Sequence, residues 1–282
     1  MPLHAAIAAR TKHIEVGTGV IDMRYENPLY LAEEAAAVDL ISDGRLALGV
    51  SRGSPESVVR GYEAFGYTGS TDPRGADIAR EHFDTFLRAI EGEGIAERDC
   101  QSPFGGGSGT QRIEPHSPGL RSRIWWGAGN SDSAEWAGRI GVNLMSSTLL
   151  TEDRGMPFDE LQAQQIEIFR AAWREAGHAG EPRTSISRSI FPITTAEEQM
   201  YFGGRQDGDQ VGVIDGIRST FGKTYAAAPD VLVEQLLGDA AIRSADTLML
   251  TIPSQLGVEF NLRVVESFAK YVAPALGWKP AS

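Results

Sequence analysis

The sequence predicts an α/β protein built on a parallel sheet. Three observations predict it. Apolar strand-like segments alternate with helical segments from end to end. Leu46 to Val50 is an unbroken apolar run, suited to a strand buried on both faces. Two strands run into small-residue turns, Gly49-Val50-Ser51-Arg52-Gly53 and Gly127-Ala128-Gly129-Asn130-Ser131-Asp132-Ser133.

Leu3 to Thr11 reads as the end of an amphipathic helix, leading into a strand over His13 to Val20. A helix follows over Pro28 to Ser42, opened by proline and stopped by Asp43-Gly44. After the Leu46 to Val50 strand, Gly75 to Ile90 carries Ile78, Phe83, Phe86, Leu87 and Ile90 on one helical stripe. Ser102 to Gly119 is rich in Gly, Pro and Ser and reads as a surface excursion. Ile124 to Ala128 is the next strand, Ser133 to Ile140 the next helix and Val142 to Ser146 a further strand. A long helix runs from Phe158 to Ala176 and stops at Gly177. Thr184 to Ile193 alternates as a strand. Thr195 to Ala228 lacks periodicity and reads as an extended insertion. Pro229 to Leu237 is a helix, Thr247 to Ile252 a strand and Val258 to Tyr271 the closing helix. No repeat or linker marks a boundary, so residues 1–282 read as a single domain with an insertion at about 195–228.

Composition narrows the function classes. The 282 residues carry a net charge of −12, which argues against the broad basic face that nucleic acid or an anionic membrane requires. One cysteine, Cys100, excludes an internal disulfide and a several-cysteine zinc cluster. With no membrane-length apolar stretch and no signal-peptide core, the chain reads as cytoplasmic. The five histidines show no metal-ligand spacing.

The two turns carry the chemistry. Arg52 offers a fixed cation, and the turn before the Ser133 helix offers backbone amides and the hydroxyls of Ser131 and Ser133, a combination suited to one phosphate. The competing reading of that second turn is an ordinary N-cap by Ser131 or Asp132. Gly49 to Gly53 fits the G-x-S-x-G pattern of a serine nucleophile, but no histidine follows in the last hundred or so residues and no oxyanion segment appears. Gly127 to Asp132 begins like a dinucleotide fingerprint, yet Asp132 stands where the third small residue belongs and opposes a pyrophosphate. The glycine run from Gly105 to Thr110 lacks the Gly-Lys-Ser/Thr ending of a P-loop.

Taken together, several stretches resemble the bacterial luciferase-like flavin monooxygenases. They are Ala8 to Val20, Ala37 to Gly53, Phe65-Gly66 and Ile124 to Gly141, including Ser133-Ala134-Glu135-Trp136-Ala137. The resemblance implies a TIM-type (β/α)8 barrel. It also implies that His13 to Val20 is the third strand, so the first two strand-helix units have no counterpart in the chain. It places Arg52 on the flavin phosphate with Gly129, Asn130 and Ser133, and Ser51 beside the reactive ring. It gives Gly19-Val20 a strand bulge pressing on the ring, with a non-proline cis peptide, and gives Ser147 a ring contact. The implied activity is an FMN-dependent monooxygenase, using reduced flavin from a reductase and O2 on a small organic substrate. A flavin-binding protein without turnover and a deazaflavin F420 oxidoreductase are the alternatives. A homodimer is expected. No residue is singled out as catalytic base.

Overall fold

A computed structural model describes residues 1–53, 60–67, 76–103, 107–204, 208–214 and 217–279. The chain divides into two compact units, Met1–Gly127 and Ala128–Ser282.

The first unit opens with helix α1 (Pro2–Arg10), then β1 (Val16–Asp22), α2 (Pro28–Ser42), β2 (Leu46–Ser51) and α3 (Ala76–Ile90). A short antiparallel pair, β3 (Ala96–Glu97) and β4 (Thr110–Gln111), precedes β5 (Ile124–Ala128). The glycine run beginning at Gly105 lies partly outside the described residues, as does the expected helix start at Gly75. Strands β1 and β5 both pair in parallel with β2, through Val16↔Leu46 and Leu48↔Ile124. Helix α2 starts where Asn27 Oδ1 accepts the Leu29 and Tyr30 amides, and ends on Asp43 in the left-handed region. Leu31, Ala35 and Val38 of α2, Leu46, Leu48 and Val50 of β2, and Phe83 and Phe86 of α3 are buried. The Phe83 ring lies 4.9 Å from that of Trp126 on β5. The buried Asp39 carboxylate accepts from Ser117 Oγ at 2.6 Å and from Arg123 Nε at 3.0 Å, which ties α2 to the segment leading into β5.

The second unit continues with α4 (Ser131–Ile140), β6 (Asn143–Ser146), β7 (Leu149–Leu150), α5 (Phe158–Glu175) and β8 (Thr184–Pro192). Then come α6 (Ala196–Phe202), β9 (Gln210–Ile214), β10 (Ile217–Phe221), β11 (Thr224–Ala227), α7 (Pro229–Gly238), α8 (Ala240–Ser244), β12 (Thr247–Leu250) and α9 (Gly257–Ser267). Strands β6, β11 and β12 all pair in parallel with β8. β12 runs along its first half from Ser185, and β11 along its second half from Ser189.

Two expectations need correction. Residues 195–228 are not an aperiodic insertion. They hold α6 with a Thr195–Glu198 capping box, an antiparallel β9–β10 hairpin, and β11 in register with β8. Residues 205–207 and 215–216 of that stretch lie outside the described residues. Helix α4 begins at Ser131 rather than Ser133, and its cap is Asn130, whose Oδ1 accepts the Ser133 amide at 2.9 Å.

Candidate flavin site

In the first unit, the end of β1 is built by a bulge. The β1–β2 register runs Thr18↔Leu48 and then Ile21↔Val50, so Gly19 and Val20 together oppose Gly49. The Gly19–Val20 peptide bond is cis. A bulge interrupts the ladder, and the buried Gly49 needs other partners for its backbone. The Thr18 hydroxyl supplies both, donating to Gly49 O at 2.7 Å and accepting from Gly49 N at 3.1 Å.

The bulge turns Val20 toward β2 and β5. A Cβ built on Gly127 would stand 3.1 Å from Ser51 Cβ and 3.2 Å from Val20 Cγ1. Val20, Ser51 and Gly127 therefore meet at one spot, where a side chain on the glycine would crowd both neighbours. Ser51 is buried and its Oγ accepts the Gly53 amide at 2.9 Å, which closes the turn after β2. Arg52, between them, is exposed, and its side chain has no hydrogen bond or ion pair among the described residues.

Sequence reasoning missed the polar group beside this turn. The buried Arg24 pairs with Asp22 through Nη2 at 2.6 Å and Nε at 3.0 Å. Gly53 sits at φ +91°, and a Cβ there would collide with both partners. Its lack of a side chain is thus required twice, by backbone and by space. Met23 donates its amide to Ser51 O at 3.0 Å, and His82 of α3 bonds Met23 O through Nδ1 at 2.7 Å. Burial, then the nearby Glu34 charge, pushes the Glu26 carboxyl above its ordinary value. The one signal in the sequence was Asp22-x-Arg24 directly after a strand.

In the second unit, Gly129, Asn130 and Ser133 form the turn into α4. Gly129 O accepts the Thr151 amide at 2.7 Å. The Ser131 amide and hydroxyl both donate to Glu152 Oε1 at 3.0 Å, and Arg154 Nη2 donates to Glu152 Oε2 at 3.1 Å. Ser147, just past β6, accepts the Leu149 amide on its Oγ and the Gln162 Nε2 donor on its carbonyl, the latter at 2.7 Å. Gln162 in turn accepts from Arg188 Nη1, and Arg188 forms a two-point pair with Asp239, both buried. Tyr225 adds its hydroxyl to Asp239 at 2.7 Å.

The residues present can be tested against a flavin. Val20 and Ser51 close tightly on Gly127, so a flat ring would lie over this small-residue face rather than between them, and Arg52 has a charge to give a phosphate. The α4 turn does not fit a phosphate as it stands, because a carboxylate already holds the Ser131 donors. No group of three or more His, Cys, Asp or Glu side chains among the described residues could hold a metal ion. Among those residues no helix is long and apolar enough to cross a membrane.

Comparison with known proteins fixes the lineage. The oxygenase component of the flavin-dependent trigonelline monooxygenase of Acinetobacter baylyi is 42% identical over 65 residues, 22% of this chain and 18% of that protein. Limonene 1,2-monooxygenase of Rhodococcus erythropolis is 23% identical over 250 residues, 82% of this chain and 61% of that protein. The chain therefore spans less than two thirds of either relative. The FMN complex of the oxygenating constituent of 3,6-diketocamphane monooxygenase from Pseudomonas putida superposes with a TM-score of 0.68. That match has 17% identity and covers 97% of this chain and 83% of the other. It shows a shared fold, the TIM-type α/β class expected from the sequence. The luciferase-like monooxygenase family profile matches residues 1–200, and on that match the chain belongs to the luciferase-like monooxygenase family.

Proposed function

We propose that this chain is an FMN-dependent oxidoreductase, the oxygenase of a pair in which a separate reductase supplies reduced flavin and O2 oxygenates a small organic substrate. The observation that carries the reading is the meeting of Val20, Ser51 and Gly127 at a strand bulge in a chain of this family. The bound reduced flavin supplies the electrons that activate O2, chemistry that no side chain provides. The protein's part is to orient the ring and keep water from it.

In this reading Val20 presses on one ring face, Ser51 lines the reactive edge and Gly127 lets the two approach each other. Arg52 supplies the countercharge for the phosphate through a charge-assisted hydrogen bond. In the second unit the same reading gives Ser147 to the flavin, and Gly129, Asn130 and Ser133 once Glu152 leaves the α4 turn. Ser147 would be held in place by Gln162 and, through it, by the buried Arg188–Asp239 pair. The Asp22–Arg24 pair and His82 border the β1 end.

The test is turnover with reduced FMN, O2 and a panel of small organic substrates. Oxygenated product from at least one substrate is expected. Flavin oxidation with hydrogen peroxide as the only product throughout would make this a flavin-binding protein instead. Saturable F420 binding with no FMN binding would overturn the cofactor assignment.

A further inference from the structure

A carboxylate at a helix N-terminus does what a phosphate would do there: it accepts unpaired amides and faces the positive end of the helix dipole. At α4 that place is taken by the chain itself. Glu152 Oε1 accepts from both the amide and the hydroxyl of Ser131, and Oε2 lies 3.3 Å from the same hydroxyl. Its side chain is only 14% exposed. Asp132 adds a second negative charge in the first turn of the helix. A phosphate dianion brought to these donors would meet two carboxylates.

Glu152 also has somewhere to go. Arg154 Nη2 already donates to Glu152 Oε2, while Arg154 Nη1 is anchored on Gln164 Oε1 at 2.9 Å. The Glu152 backbone is pinned by Thr220 Oγ1, which donates to its carbonyl at 3.3 Å from strand β10. Arg154 thus offers the Glu152 carboxylate a second partner when it leaves the Ser131 donors.

We propose that Glu152 is an internal anion that competes with the flavin phosphate for the N-terminus of α4, and so sets how strongly the chain prefers FMN over riboflavin. The inference rests on the flavin reading above. Glu152→Ala removes the competitor, and Glu152→Gln keeps an acceptor for Ser131 while removing the charge.

The experiment is an equilibrium titration of wild type, E152A and E152Q with FMN and with riboflavin, which lacks the phosphate, followed by flavin fluorescence. Thermal melts of each variant check the fold. Both variants are expected to bind FMN about tenfold more tightly than wild type, with riboflavin affinity unchanged. FMN affinity that is unchanged or weaker in E152Q, with riboflavin still bound, would overturn the inference and leave the flavin reading standing. Equal tightening for both flavins would also overturn it, since the phosphate would not be the group in competition. Absence of binding of either flavin to any of the three proteins would overturn both.

Discussion

The Thr18 hydroxyl donates to the Gly49 carbonyl at 2.7 Å and accepts from the Gly49 amide at 3.1 Å, replacing the strand ladder where β1 bulges. One side chain thus satisfies both backbone groups of a buried residue opposite the bulge. Thr18→Val keeps the shape and removes both bonds. Each buried backbone group left unpaired costs about 1–3 kcal/mol. We expect T18V to lower unfolding stability by about that amount or more in urea titration, and Thr18→Ser to restore most of it. Equal stability of T18V and wild type would show that the hydroxyl does not replace the ladder.

Arg52 is exposed and unpaired among the described residues, in a turn where Ser51 Oγ accepts the Gly53 amide at 2.9 Å. If it answers the flavin phosphate, Arg52→Ala should weaken FMN about tenfold or more, the scale of one charge-assisted hydrogen bond. Riboflavin affinity should not change. Equal loss for the two flavins would place Arg52 on the ring or in the fold rather than on the phosphate.

The Arg188–Asp239 pair is buried on both sides, with Arg188 Nε to Asp239 Oδ2 at 2.8 Å. Removing one partner from a buried pair leaves an uncompensated charge and typically costs about 3–5 kcal/mol. Asp239→Asn is therefore expected to lower the melting temperature sharply, and a shift of a degree or less would contradict the assignment.

The same group predicts a pH dependence with a defined sign. Burial pushes the Asp239 carboxyl up, but Arg188 and the Ile242 amide more than offset it, and its pKa lies below the ordinary value. Its contribution is complete above the ordinary carboxylate range, near pH 4, and is lost as pH falls through the lowered value. Tyr225 behaves oppositely. Burial first, then the Asp239 charge, raises its pKa, so its contribution holds below about pH 10 and is lost as pH rises toward the raised value. Thermal melts across pH should show both losses, and Tyr225→Phe should abolish the alkaline one while shrinking the acid one slightly, since its hydroxyl also helps to lower the Asp239 pKa.

Local signals were legible in the sequence, and long-range ones were not. Pro28 and Asp43-Gly44 marked α2 at both ends, because caps and stops are written in neighbouring residues. Each strand read from an apolar run or alternation is present in the fold. Strand β11 escaped notice because its four residues, Thr224 to Ala227, owe their state to pairing with Ser189 to Pro192 rather than to a pattern of their own. The start of α4 was misplaced because Asn130 caps Ser133 from outside the expected helix. The candidate site divides the same way. Ser51, Arg52 and the Gly129 turn stood out as motifs. His82 on Met23, 59 positions away, and Glu152 on Ser131, 21 positions away, are pairings that only the folded chain makes.

The proposed flavin ring lies over Val20, Ser51 and Gly127. Gly127 gives this placement the most direct test, since a Cβ there would stand 3.1 Å from Ser51 Cβ and push apart the face assigned to the ring. The measurement is an FMN titration of wild type and Gly127→Val side by side, with circular dichroism to confirm that both are folded. Saturable binding to wild type and at least tenfold weaker binding to G127V are expected. Equal FMN affinity in a folded G127V, or no saturable binding to wild type, would contradict the placement.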